Sequence, residues 1–352
     1  MQNGDCYLRI GDETRRLNYQ HRQELEFDKG QSQYDGYQAA GLTFDSLDTW
    51  LVENYRSKTG AKGNARSVFE ARSLLTPKGE LTNAAVLLFG RNPSMLFPQA
   101  HVRVIRYLSY ERGTGSRLGV QEDADIRVEG PIPRVIQAAS DEVERLIYRR
   151  RALSDAGRFE SQPIVPRDAW LEGLVNAVIH RSYSLGGDHI RVELFPNRVE
   201  IESPGRFPGL ADPTTPLEIS RFARNPRIAR VCADLRIGQE LGEGIKRIFE
   251  EMRRVGLTDP VYRQTAGSVR LSLTAVPRLD PRIARRLPAG SQRVLDALRG
   301  AQRPLSTGDL AAELHLSRPA TITRLKALQR EELILWVGKS QRDPRAIWML
   351  NE

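Results

Sequence analysis

The sequence predicts an α/β (α+β) protein: a long body of interspersed helices and strands, then a separate small domain of three helices and two strands. Three observations carry that prediction. At 352 residues the chain is long for one hydrophobic core. Its apolar residues switch along the chain between helical spacing and strict alternation. Residues 277–290, rich in proline and arginine, interrupt both patterns and mark the clearest domain boundary.

The composition is that of a water-soluble protein, 40% hydrophobic and 28% charged. No apolar run approaches the ~18–20 residues of a membrane span, and the first residues, MQNGDCYLRI, lack the apolar core of a secretory signal. Cys6 and Cys232 are far apart and support neither a disulfide framework nor a zinc site, which fits a reducing cytoplasm. The five histidines are scattered, with no metal spacing. The net charge of +9 favours polyanionic partners through phosphate neutralisation and counterion release.

In chain order, residues 7–10 read as a strand, and residues 28–36 have the chemistry of a loop. Helices are expected over residues 44–55 and 65–75. The apolar run 81–90 closes on Gly90, and residues 101–108 alternate like a half-buried strand. A helix is expected over 132–150 and another over 167–183. Strands 189–195 and 198–202 are joined at Pro196-Asn197 as a hairpin. A Pro/Gly-rich loop follows over 203–223, then helices starting near Asn225 and Gly244 and a strand over 268–275.

Beyond the linker, a helix is expected over 292–299. Ser306-Thr-Gly-Asp309 has capping-box form and opens a second helix. Ser317 caps a third, with Pro319 tolerated in its first turn. On that third helix Ile322, Leu325 and Leu328 form an apolar stripe, with Thr323, Lys326 and Arg330 opposite, Arg318 at the N-terminus and Arg324 on the flank. Strands over 333–337 and 346–350 bracket a basic loop holding Lys339, Arg342 and Arg345. Three helices and a two-stranded wing make the winged-helix variant of helix-turn-helix, whose third helix enters the major groove of double-stranded DNA while the wing meets phosphate. Gly338-Lys339-Ser340 ends like a phosphate loop but lacks the earlier glycine and the strand-to-helix setting, so it reads as wing.

The helix expected over 167–183 carries Leu171, Leu174, Val175, Val178 and Ile179 on one face. Glu172, Asn176 and His180 follow at four-residue steps on the adjoining face. A carboxylate and an amide oxygen one turn apart can activate a water and hold Mg²⁺. Glu172-Gly-Leu-Val-Asn-Ala-Val-Ile-His-Arg-Ser-Tyr-Ser184 is followed by Ser203-Pro-Gly205, Arg224-Asn-Pro and Gly242-Glu-Gly244-Ile-Lys246. In this order the motifs resemble the GHKL ATP-binding fold of gyrase, Hsp90, MutL and histidine kinases. They are most similar to the branch described as the C-terminal part of ATP-dependent helicases, over about residues 69–275. The resemblance implies a GHKL/Bergerat-like sandwich of helices on a mixed sheet, with ATP and Mg²⁺ as cofactors. It implies Glu172 as general base and Asn176 as Mg²⁺ ligand. Ser203 and Gly205 would fall in the first glycine box, and Gly242 and Gly244 in the second. His180, Arg224 and Lys246 would complete the nucleotide-binding set. Serine at position 203 stands where most of these proteins have the aspartate that accepts the adenine amino group, and Phe207 occupies the region of a second glycine.

Residues 7–16 resemble the closing strand of the Alba-like, Schlafen-type domain that often precedes this region in such proteins. The expected domains are therefore residues 1–60 (end of that domain and linker), 61–276 (GHKL-like, core 166–276), 277–290 (linker) and 291–352 (winged helix). The expected function is that of a cytoplasmic DNA-binding transcriptional regulator, in which an ATP-like ligand biases a conformation or a homodimer. The alternatives are a DNA-stimulated ATPase of DNA repair or phage defence, and a nucleotide-free adaptor that keeps the fold as scaffold.

Overall fold

The structure is a computed structural model. It describes the chain apart from residues 1–6, 11–12, 17–25, 28–31, 61, 116–117, 154–157, 208–212, 220–222, 239–242, 266, 280, 302–303, 339–342, 344–345 and 352. The chain divides into two compact units, Met1–Val276 and Pro277–Glu352. Among the described residues no helix is long and apolar enough to cross a membrane.

The first unit opens with the ribbon β1 (Tyr7–Ile10) and β2 (Glu13–Arg16). Helices α1 (Thr49–Lys58), α2 (Ala65–Ala71) and α3 (Asn83–Phe89) follow. Asp48, Asn64 and Thr82 precede them, and each side chain accepts a hydrogen bond from a backbone N–H of the first turn. Next come β3 (Val102–Tyr107), β4 (Val120–Val128), α4 (Ile132–Leu146), the ribbon β5 (Arg149–Leu153) and β6 (Phe159–Pro163), and α5 (Arg167–Ile179). The unit closes with β7 (Ile190–Phe195), β8 (Arg198–Pro204), α6 (Pro226–Asp234), α7 (Gly244–Arg254), β9 (Val261–Gln264) and β10 (Ser268–Thr274).

Six strands form one mixed sheet in the order β4-β3-β7-β8-β10-β9. Only β3 and β7 run parallel, with Val102 opposite Ile190. Alternation gives the sheet two chemically different faces. Val192, Leu194, Val199, Ile201, Leu271 and Leu273 turn to the main core, which includes Val135, Ala139 and Val143 of α4 and Trp170, Leu174 and Val178 of α5. The opposite face carries the buried carboxylates of Glu193, Glu200 and Glu202. Arg112 bridges Glu193 and Glu200 at 2.5 and 2.8 Å, and Arg270 reaches Glu202 at 2.7 Å. These pairs offset the cost of desolvating three acids on one surface.

Several expected boundaries shift. The helix expected over 132–150 ends at Leu146, because Ile147 is extended and buried and the Tyr148 hydroxyl donates to the Tyr107 carbonyl at 2.6 Å. The helix expected over 167–183 ends at Ile179. The side-chain amide of Asn225, from the start of α6, donates to the carbonyls of Ile179 and Arg181, each at 2.8 Å. Arg181 is buried and donates to the carbonyls of Ser182, Leu185 and Asp188, so it organises the loop that replaces the expected last turn. Residues 203 and 204 extend β8 rather than open the loop, and residues 44–46 form a 3-10 turn before α1 begins.

In the second unit, residues 277–290 are not wholly linker, since α8 spans Pro281–Arg286. Three helices follow: α9 (Ser291–Ala301), α10 (Thr307–Glu313) and α11 (Arg318–Arg330). Strand β11 (Leu305–Ser306) joins β12 (Ile334–Val337) and β13 (Ile347–Leu350) in a sheet ordered β11-β13-β12. Val294, Leu298, Leu310, Leu325, Leu328, Ile334 and Trp348 form its core.

Replacing Asn225 by alanine strands two buried carbonyls at the end of α5. The variant is expected to lose about 2–4 kcal/mol of stability, read as a lower urea midpoint with unchanged cooperativity.

Candidate functional site

Helix α5 lies very close to the sheet. A methyl group on Gly173 would come within 2.8 Å of Leu271 Cδ2 and 2.9 Å of Ile201 Cδ1. On its adjoining face the Asn176 amide donates to Glu172 Oε1 at 3.2 Å. That leaves the Asn176 carbonyl oxygen as the atom suited to a cation. Helix α7 begins directly over this pair, and a Cβ on Gly244 would collide with Glu172 Oε1 and lie 3.0 Å from Asn176 Nδ2. Burial pushes the Glu172 carboxyl up, while Arg247 and the Asn176 bond pull it down.

Beside the pair lies a cavity of about 180 Å³. Ile201, Val269 and Leu271 line it from the sheet, Gly173, Asn176, Ala177 and His180 from α5, and Gly244 and Ile245 from α7. Gly205, Arg206, Phe207, Arg224 and Tyr262 complete the wall. Gly205 sits at φ +120°, a conformation only glycine adopts readily, and its N–H donates to the Gly267 carbonyl at 2.9 Å. Arg224 braces the same loop by donating to the Arg206 carbonyl at 2.5 Å. The Phe207 ring meets Tyr262 edge-on at 5.4 Å. Ser203 turns its hydroxyl to the Ala177 carbonyl at 2.8 Å.

His180 lines this cavity with a buried Nδ1 that has no hydrogen-bond partner among the described residues. Burial, and secondly the Arg224 cation, lower its pKa to about 4, so the ring is neutral at pH 7. The apolar walls, the glycine approaches at 205 and 244, the Asn176 oxygen and this unpartnered ring nitrogen fit a nucleotide with its cation. The Glu172 carboxyl lies under α7 rather than among the cavity walls.

The structure thus brings Asn176, His180, Ser203, Gly205, Arg224 and Gly244 together around one volume, with Glu172 bonded to Asn176 beneath Gly244. Lys246 is exposed and is not among the residues that line it, and Gly242 lies outside the described residues. Two residues that sequence reasoning passed over belong here. Arg247, one turn into α7, acts on Glu172 and lies 3.6 Å from Asp168. Its signal was the spacing of three from Gly244. Tyr262 comes from β9, whose four residues carry no strand pattern strong enough to place it.

In the second unit α11 buries Thr321, Leu325 and Leu328. Thr321, not Ile322, takes the innermost place, since its hydroxyl bonds back to the Ser317 carbonyl at 3.1 Å. Arg318, Thr323, Lys326 and Arg330 are exposed. Arg324 instead turns back and donates to the carbonyls of Ala289 and Ala320 at 2.9 and 2.8 Å. Lys339, Arg342 and Arg345 lie outside the described residues.

Residues 187–273 match the family described as "Putative ATP-dependent DNA helicase recG C-terminal". An ATPase-like domain of this helicase-associated kind is present in the chain. The match starts after α5, so it covers the glycine-bearing loops and strands β7 to β10 but not β3, β4, Glu172 or Asn176. A crystal structure of the DIP2311 protein from Corynebacterium diphtheriae is similar over 98% of this chain and 70% of its own, with a TM-score of 0.55 at 20% identity. That likeness concerns the fold, a mixed α/β one. No curated protein matches the chain.

Gly244→Ala would gain up to about 1 kcal/mol from helix propensity alone. Overpacking against Glu172 is expected to reverse the sign and cost about 1–3 kcal/mol by urea unfolding. A pH effect follows from His180. The unfolded ring binds its proton near pH 6.5 and the folded one only near 4. Stability from this group is therefore complete above about 6.5 and is lost as the pH falls towards 4. His101, also held down to about 4 by burial and then Arg127, adds to the same slope. Urea midpoints measured across that window should fall less steeply in His180→Gln than in the parent.

Proposed function

We propose that the chain is a DNA-binding transcriptional regulator whose first unit takes an ATP-like nucleotide with Mg²⁺ and whose second unit is a winged helix for double-stranded DNA. The observation that carries the nucleotide reading is the Glu172–Asn176 pair held under Gly244 beside a cavity that Gly205 and His180 also line. Asn176 would hold the cation. The backbone near Gly205 and Gly244, where a Cβ has no room, would approach phosphate. The Ser203 hydroxyl donates its hydrogen bond to the Ala177 carbonyl and keeps acceptor capacity, so it can receive a hydrogen bond from an exocyclic amino group, more weakly than the aspartate it replaces.

The exposed row Arg318, Thr323, Lys326 and Arg330 on α11 supports the DNA reading, because a helix of this bearing places bases opposite its polar face. Nucleotide bound in the first unit would set the DNA affinity of the second.

A second reading, slow ATP hydrolysis, is favoured by the raised carboxyl of Glu172, which suits a general base. A bound Mg²⁺ would supply charge neutralisation at the phosphates. Glu172 would accept the proton of an attacking water, and Asn176 would orient both.

Isothermal titration of ATP and ADP with Mg²⁺ is expected to show binding that weakens at least tenfold in Asn176→Ala. No heat up to millimolar nucleotide would remove the reading. Footprinting is expected to show a defined site that Arg318→Ala or Lys326→Ala abolishes, while equal protection of all sequences would contradict a regulator. Phosphate release, if present, should disappear in Glu172→Gln with nucleotide affinity retained.

A further inference from the structure

Strands β5 and β6 pair only with each other among the described residues, with Arg151 opposite Ser161. Arg149, Arg150 and Arg151 on one strand and residues 158–161 on the other side are exposed. An isolated two-stranded ribbon is marginal in water. This one also leaves Phe159 68% accessible, its ring 5.9 Å from the Arg151 guanidinium. Alternation puts Arg149, Arg151 and Phe159 on one face and Arg150 on the other. Glu144 neutralises Arg149 at 2.9 Å, whereas among the described residues Arg150 and Arg151 have no ion pair.

Three adjoining exposed arginines, two of them on the face of an exposed aromatic ring, complement a polyanion. A two-stranded ribbon fits the major groove, and arginines on both faces can then reach both bordering phosphate backbones. The ribbon is also joined to the candidate nucleotide site. Only residues 164–166 separate β6 from α5, and Ile164 and Val165 among them are buried.

We infer that the β5–β6 ribbon is a DNA contact of the first unit, which grips double-stranded DNA through Arg150 and Arg151 with Phe159 against the groove. It is separate from the surface of α11 and stands or falls independently of it.

Fluorescence anisotropy of the full chain on a labelled duplex between 50 and 200 mM salt tests this. Arg150→Ala/Arg151→Ala is expected to weaken binding roughly tenfold or more and to flatten the log–log salt slope by about 2, equally on all sequences. Arg150→Lys/Arg151→Lys should restore most of the slope, and an unchanged urea midpoint shows that the alanine variant is folded. Parent-like affinity and slope in the folded alanine variant would overturn the inference, whatever Lys326→Ala does. Loss in the ribbon variant with none in Lys326→Ala would uphold the ribbon and remove the α11 reading. A parent chain that binds no duplex overturns both. A ribbon-dependent preference for single strands or for anionic vesicles over the duplex overturns the duplex assignment.

Discussion

The first unit depends on a helix held between two contacts that leave no room for a methyl group. On one side Gly173 lets α5 settle onto Leu271 and Ile201. On the other, Gly244 lets the start of α7 settle onto Glu172 and Asn176. Packed interiors transmit a displacement of this size rather than absorb it. The position of the carboxylate–amide pair is therefore set by backbone approach on both sides of α5. Asn225 fixes the end of the same helix by taking its last carbonyls, and Arg181 fixes the loop beyond. The sequence from Arg167 to Asp188 is short, yet its geometry is decided by β8, β10, α6 and α7.

Electrostatics divide across the sheet. The face under α5 is apolar, and two ionisable groups near the cavity are pushed toward neutrality: burial raises the carboxyl of Glu172 and lowers the imidazolium of His180. The opposite face is ionic, with Glu193, Glu200 and Glu202 matched by arginines. The contrast has a physical cause. Arginines can bridge two carboxylates in register on one open sheet face, whereas among the described residues the cation acting on Glu172 is Arg247 from α7. Arg206 and Arg224 also line the cavity, so an added anion would meet positive charge there.

Local pattern revealed what depended on local pattern. The Glu172, Asn176, His180 spacing on a helix, the hairpin at Pro196-Asn197 and the caps at Ser306 and Ser317 are all readable because a few adjacent residues determine them. Edge strands were not. β4, VQEDADIRV, and β9, VYRQ, bury too little on either face to show alternation. In the ribbon β5–β6, Arg149, Arg150, Arg151, Phe159, Glu160 and Ser161 are all exposed, and Arg149 and Arg150 read as the end of a helix. Helix ends were misplaced where a distant side chain stops the helix, as Asn225 does. In the site, Ser203 and Gly205 were found from their motif, but that Lys246 is exposed while Arg247 faces Glu172 is a matter of one residue on a helix whose start cannot be fixed to that precision from pattern alone.

Linkage limits how the chain could work as a switch. If nucleotide alters the affinity for DNA by some factor, DNA must alter the affinity for nucleotide by the same factor. A ligand with equal affinity for both conformations shifts neither. The coupling therefore has to reside in an element that nucleotide and DNA both touch or displace. Helix α5 carries Glu172 and Asn176 and meets the ribbon through residues 164–166, of which Val165 is fully buried. Gly173 and Gly244 leave no room for a Cβ on either side of α5, so a displacement of this helix would be felt at both contacts. If nucleotide and DNA are coupled through α5, then Asn225 and Arg181, which fix its last carbonyls and the loop beyond, are where substitutions would change that coupling.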